Sequence, residues 1–173
     1  HPLKYFSGLA MAIRRNGGEI HNQTHAASIA GGDKAVVETA QGRKITADAV
    51  VVATNTPIND RVTMHTKQAA YRTYVLGFKV PRGAVPRALY WDTLDPYHYV
   101  RIVTAGGEDV LTVGGEDHKT GQHASAAEQE AHFRNLEQWT RNRIPQVTEL
   151  VYRWSGQVNE PDDCVAFIGP APT

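Results

Sequence analysis

The chain has 173 residues, with 18 basic and 18 acidic side chains and a formal net charge of zero. That length can bury a core as one domain or as two small ones, and with no run of five like charges there is no electrostatic footprint for nucleic acid or an anionic membrane. The longest apolar run, Ala49 to Ala53, is far short of the roughly 20 residues that span a bilayer, no signal-peptide pattern opens the chain, and the single cysteine, Cys164, excludes an intrachain disulfide and any cysteine-rich metal or iron-sulfur site. A soluble, cytoplasmic protein is the expectation. The sequence opens at His1-Pro2 rather than at methionine and stops at FIGPAPT, directly after a strand-like run, so it reads as a piece of a longer protein.

In chain order, His1 to Asn16 sets Leu3, Phe6, Ala10 and Ile13 at helical spacing, with Pro2 suited to the first turn and Gly17-Gly18 to the exit. The run EIHNQTHAASI reads as a strand, and AVVET and RKITAD pair as a hairpin around the turn AQGR. Ala49 to Thr54, apolar up to Ala53, has the pattern of a short strand covered on both faces of a parallel sheet. Pro57 to Lys67 shows no period and marks a boundary. Beyond it, YRTYVLGFKV places Tyr74, Leu76, Phe78 and Val80 on one face, and YHYVRIV sets Tyr97, Tyr99 and Arg101 against His98, Val100 and Ile102. DVLTVGG adds another strand of a largely antiparallel sheet. Ser125 and Glu128 form a capping-box start for a helix over 125–144, whose Phe133, Leu136, Thr140 and Ile144 share a face and which ends before Pro145. LVYRWSG alternates Leu150, Tyr152 and Trp154 against Val151 and Arg153, followed by NEPDDC and the short run VAFIG.

Taken in order, GLAMAIRRNGGEIHNQT, ITADAVVVATNTP, LYWDTLDPYHYVRI, VGGEDHKTGQ and YRWSGQVNEPDDCVAFIG resemble FAD-dependent oxidoreductases of the glycine and D-amino-acid oxidase superfamily. The last three are most similar to the subgroup in which a Rieske iron-sulfur domain follows the flavin domain. The resemblance implies an adenine-binding glycine-rich loop upstream and a second glycine-rich segment downstream, neither of them in these residues, so the fragment alone is expected to be inactive and not to hold FAD. It also implies a [2Fe-2S] cluster in a following domain and an electron-transfer partner.

The same resemblance implies site residues. His118, in GGEDHKTGQ, stands where the family's histidine lies on the substrate side of the flavin; a surface loop histidine is the alternative. Tyr97, Tyr99 and Arg101 would supply an aromatic wall and a guanidinium for a substrate carboxylate, against the alternative of a sheet face wetted by amphipathic side chains. His98, on the opposite face, reads as a packed, hydrogen-bonded histidine. Trp154 and Gly156 match the strand that returns to the flavin, Thr24 and Ala26 the strand end facing adenine, and Ala53, Thr54 and Asn55 the end of a strand near the cofactor. The family's covalent flavin cysteine is replaced by the neighbourhood of Ser155 and Gly156. Cys164 stands where many relatives carry glycine, so the backbone of that loop is expected to differ. His118, His123 and His132 with Glu116 and Asp117 match no metal-ligand spacing, so no metal is expected, and no Gly-x-Ser-x-Gly elbow marks a hydrolase.

The expectation is therefore a mixed α/β fold. An incomplete Rossmann-like FAD-binding part (1–56), a substrate domain of antiparallel sheet plus helix (57–150) and a return strand (151–173) make up the central fragment of a flavin-dependent oxidoreductase that acts on the C-N bond of a small amine or amino acid. The alternative is a non-catalytic binding domain that keeps the substrate sheet without the cofactor.

Overall fold

The computed structural model describes residues 1–55, 58, 67–121, 125–166 and 168–169, and it divides into two compact units between residues 62 and 63. In the first, helix α1 (Pro2–Arg15) starts on a proline in its first turn, where the missing N-H costs no hydrogen bond, and ends where the Asn16 side chain donates to the Ala12 carbonyl at 2.8 Å. None of its side chains is buried. Strands β1 (Ala26–Ala30), β2 (Ala35–Thr39) and β3 (Lys44–Ala47) form an antiparallel meander in the order β1-β2-β3. The β2-β3 turn falls on AQGR as expected, with Gly42 at φ +75°, a conformation that favours glycine. Two expectations fail here. The first strand begins at Ala26 rather than near Glu19, and Ala49–Thr54 carries no ladder, with Val51 88% exposed. An apolar run becomes a strand only beside another strand that takes its N-H and C=O groups, and among the described residues no strand pairs with it.

The second unit is a five-stranded antiparallel sheet, in the order β5-β6-β7-β4-β8, packed on one helix. Its strands are β4 (Gln68–Val80), β5 (Leu89–Trp91), β6 (Tyr99–Ala105), β7 (Glu108–Lys119) and β8 (Leu150–Pro161). Helix α2 (Ala126–Arg143) opens on the expected capping box, Ser125 and Glu128 satisfying each other's backbone N-H groups. Its Leu136 and Thr140 are fully buried, and Phe133 and Ile144 pack beside them on Tyr74, Leu76, Phe78, Val80, Val100, Leu111 and Val113. The period-2 pattern of β4 and the helical period of α2 thus build one core, on one side of the sheet.

Two bulges decide what the other side displays. Between β4 and β8, Gly77 pairs with Tyr152 but Phe78 with Leu150, so Val151 is the extra residue. Leu150 therefore joins the core, while Tyr152 and Trp154 turn to the face of Val75 and Gly77; the sequence alternation that puts Leu150 with Tyr152 and Trp154 is broken there. Between β4 and β7, Tyr74 pairs with Gly115 and Arg72 with His118, so β7 carries the second extra residue, with Glu116 at φ +59°. The strand expected as a separate return over 151–173 is hydrogen-bonded along β4 as far as Pro161. Among the described residues no helix is long and apolar enough to cross a membrane.

Candidate functional site

Antiparallel partners share a face, so the register fixes which side chains lie opposite α2. They are Thr73, Val75 and Gly77 of β4, Leu89 and Trp91 of β5, Tyr99 and Arg101 of β6, Thr112 and Gly114 of β7, and Tyr152, Trp154 and Gly156 of β8. Aromatic groups line this face, with Tyr152 and Trp154 about half exposed. The Tyr99 side chain lies against Gly114: a Cβ there would overlap its Cζ, hydroxyl and Cε2 atoms. Glycine in the middle of a strand loosens the ladder, and here it admits the ring. The Tyr99 hydroxyl is 3.3 Å from the Thr73 hydroxyl. Burial pushes its pKa up, with the Asp117 carboxylate and Tyr97 adding to that, while the Thr73 hydrogen bond and Arg101 oppose. The phenol therefore stays protonated and can donate at neutral pH.

Arg101 sits half-buried on this face, and among the described residues no hydrogen bond or ion pair involves its side chain. Lys79, Arg87, Arg141 and Arg153, by contrast, each meet a carboxylate, on Glu108 and Glu149, Asp109, Glu137 and Glu130 respectively. Tyr97 precedes β6 rather than lying in it, its ring 6.3 Å from that of Tyr99. The segment before β6 is held by Asp92. That carboxylate accepts the His98 N-H at 2.8 Å and the Leu94 N-H at 3.3 Å, and it meets His98 Nδ1 at 2.8 Å. Burial raises the Asp92 pKa, yet these hydrogen bonds outweigh it and the net shift is downward. His98 is the packed histidine expected: it is 5% exposed and stacks on Trp139 at 4.2 Å.

His118 does not join Tyr99 and Arg101. A regular alternation along β7 would turn it to their face; the bulge reverses it, and its ring stacks on His132 at 4.6 Å and Tyr74 at 5.6 Å, on the α2 side. Burial there, and then His132, lower its pKa from 6.5, so the ring is neutral. The reversal brings Asp117 to the open face instead. Glu116 lies with His118, 3.3 Å from His132 Nδ1 and 3.8 Å from His98 Nε2. His123 lies outside the described residues, among which no group of three or more His, Cys, Asp and Glu side chains could hold a metal ion.

Trp154 and Gly156 share the open face with Tyr99, and a Cβ built on Gly156 would meet nothing within 4 Å. The space beside that backbone is open. The remaining cofactor candidates belong to the first unit: Thr24 donates to the Asn22 carbonyl, Ala26 opens β1, and Ala53, Thr54 and Asn55 are exposed, Asn55 with φ +64°. Cys164 is exposed with φ +59°, in the left-handed region that favours glycine. Sequence reasoning missed Asp92, Thr73, Gly114 and Asp117 as parts of this region. Only Gly114, a glycine inside a strand run, carried a local signal.

Compared with known proteins, residues 1–173 match the family model DAO, FAD dependent oxidoreductase. The chain is 29% identical over 171 residues to a Bacillus subtilis (strain 168) protein named as a Rieske 2Fe-2S iron-sulfur protein, YhfW, with 98% of this chain and 33% of that protein covered. In fold it is similar to glycine oxidase from Geobacillus kaustophilus, with a TM-score of 0.68 at 20% identity over 96% of this chain and 44% of that one. A flavoprotein/dehydrogenase from Cytophaga hutchinsonii follows with a TM-score of 0.51 at 14% identity, over 89% and 41%. The chain thus spans about a third of the length of the curated relative and under half of either solved structure.

Proposed function

The chain belongs to the FAD dependent oxidoreductase family, and from that premise we propose that its full-length protein oxidises the C-N bond of an amine or amino acid, with the open face of the second unit as the substrate side. The observation that carries this is one face holding Tyr99, Trp154, Gly156 and an Arg101 that meets no carboxylate among the described residues. A guanidinium without a carboxylate of its own is suited to grip one bidentately on a ligand, and a flanking tyrosine excludes water from the reacting carbon. Residues 1–56 belong to the FAD-binding part and 57–150 to the substrate part, to which β8 is joined.

When bound, FAD supplies the hydride acceptor. On this chain, Trp154 and Gly156 would face its ring, while Thr24, Ala26, Ala53, Thr54 and Asn55 would contact it through backbone in the first unit. The 173 residues contain no Gly-x-Gly-x-x-Gly run, so the pyrophosphate cradle comes from elsewhere in the full-length protein, and the fragment by itself is inactive. Arg101 orients the substrate through its carboxylate, and Tyr99 donates from a neutral phenol. His118 acts on the site through the β7 bulge rather than by touching substrate. The B. subtilis relative's name describes that protein as a Rieske protein; a Rieske domain beside this one would make the electron acceptor a one-electron carrier.

The test is anaerobic mixing of the full-length protein with N-methylated glycines and D-amino acids, followed in the flavin absorbance band. Bleaching by at least one of them, lost in Arg101→Met, is expected. A colourless full-length protein that does not respond to FAD would favour the non-catalytic binding domain instead.

A further inference from the structure

Arg101 and Asp117 share the open face, and among the described residues neither takes part in an ion pair. Arg101 pairs with Thr112 of β7, which faces Gly77 of β4, and Asp117 lies at the level of Thr73, four residues along β4, so about 13 Å separates the two along the sheet at the rise of an extended chain. Between them stands Tyr99, which faces Gly114 and feels both groups. Asp117 is half-buried, and its Oδ1 is shielded from water with no hydrogen-bond partner among the described residues. A carboxylate oxygen in that state is destabilised unless a donor or a cation meets it. Lys119, the next residue of β7 on this face, stays in solvent and makes no ion pair among the described residues. Arg72, which pairs with His118, turns to the α2 side and donates to the Ser155 hydroxyl at 2.9 Å.

Resting on the flavin-oxidoreductase reading, we infer that Asp117 is a specificity-determining residue that receives the protonated nitrogen of the substrate, so that the face selects zwitterions whose carboxylate lies at Arg101. The bulge is the device that makes this possible. Without the extra residue of β7, Asp117 would pack under α2 and the neutral His118 would face the substrate, a group with no charge to offer an ammonium. Carboxylate at one end, guanidinium at the other and aromatic rings between them match an amino acid in charge and polarity, whereas a simple amine or a simple acid would leave one end unmet.

The experiment is calorimetric titration of the full-length protein with glycine, N-methylglycine and D-alanine, and with their amine-free counterparts acetate and propionate. In Asp117→Asn the amino acids are expected to bind about tenfold or more weakly, the loss of one charge-assisted hydrogen bond, while acetate and propionate are unchanged. Arg101→Met weakens both classes, and Asp117→Glu restores part of the amino-acid affinity. Equal loss of both classes in Asp117→Asn, or no loss of either, overturns the assignment while leaving the proposed function intact. A wild-type protein that binds neither class removes both.

Discussion

Replacing Gly114 by alanine tests the open face with a single methyl group. The backbone tolerates it, because Gly114 is not among the residues with positive φ, so the perturbation acts on Tyr99 alone. The added Cβ lands on the Cζ, hydroxyl and Cε2 atoms of that ring, whose nearest atom must withdraw by about 1.4 Å to reach the 3.4 Å at which ordinary contact begins. At 3.3 Å the hydrogen bond between the Thr73 and Tyr99 hydroxyls has no slack for such a movement. Overpacking of this kind costs about 1–3 kcal/mol, at the low end because the displaced atoms are the far end of a side chain, and each kcal/mol lowers the melting temperature by about 2–4 °C. Loss of one aromatic contact from the substrate, worth about 1 kcal/mol, corresponds to roughly fivefold in KM. Differential scanning fluorimetry and substrate titration of the full-length protein check the two effects separately. A Gly114→Ala protein with wild-type KM would show that Tyr99 does not line the substrate side.

Other consequences are open to simple variants. Asp92→Ala leaves His98 buried without its Nδ1 partner and frees the Leu94 and His98 N-H groups, so unfolding in urea should show a loss of about 2–4 kcal/mol. Because the folded pKa of His118 is lowered, its contribution to stability is complete above the unfolded value of about 6.5 and is lost as pH falls below it. His118→Phe, which keeps the stack on Tyr74 and His132, should flatten the melting temperature between pH 5 and 7; an unchanged pH slope would refute the assignment, and a lost flavin reduction rate would return His118 to the catalytic groups. Cys164→Gly relieves a left-handed residue and should be neutral or stabilising by about 1 kcal/mol; destabilisation by thermal melt would contradict the strain.

The core was legible because its periods are clean. Tyr74, Leu76, Phe78 and Val80 alternate on β4, and Phe133, Leu136, Thr140 and Ile144 repeat along α2, so the burial of one sheet face under one helix follows from spacing. The capping box at Ser125 set the start of α2 for the same reason. What spacing does not encode is where a strand takes an extra residue. Nothing local in EDHK announces that Glu116 adopts a left-handed backbone, yet that residue exchanges His118 for Asp117 on the open face. Val151 likewise parts Leu150 from Tyr152 and Trp154. The Ala49–Thr54 run shows the opposite limit, a strand-like sequence that forms no strand among the described residues.

The most direct measurement is a crystal structure of the full-length protein with a bound amino acid or its amine-free analogue. The ligand carboxylate is expected on Arg101, beside the Tyr99 ring and on the same face as Trp154 and Gly156. A ligand found instead on the α2 side, in the concavity of about 420 Å3 lined by Tyr90, Asp92, His98, Trp139 and Arg143, would contradict the assignment of the open face as the substrate side.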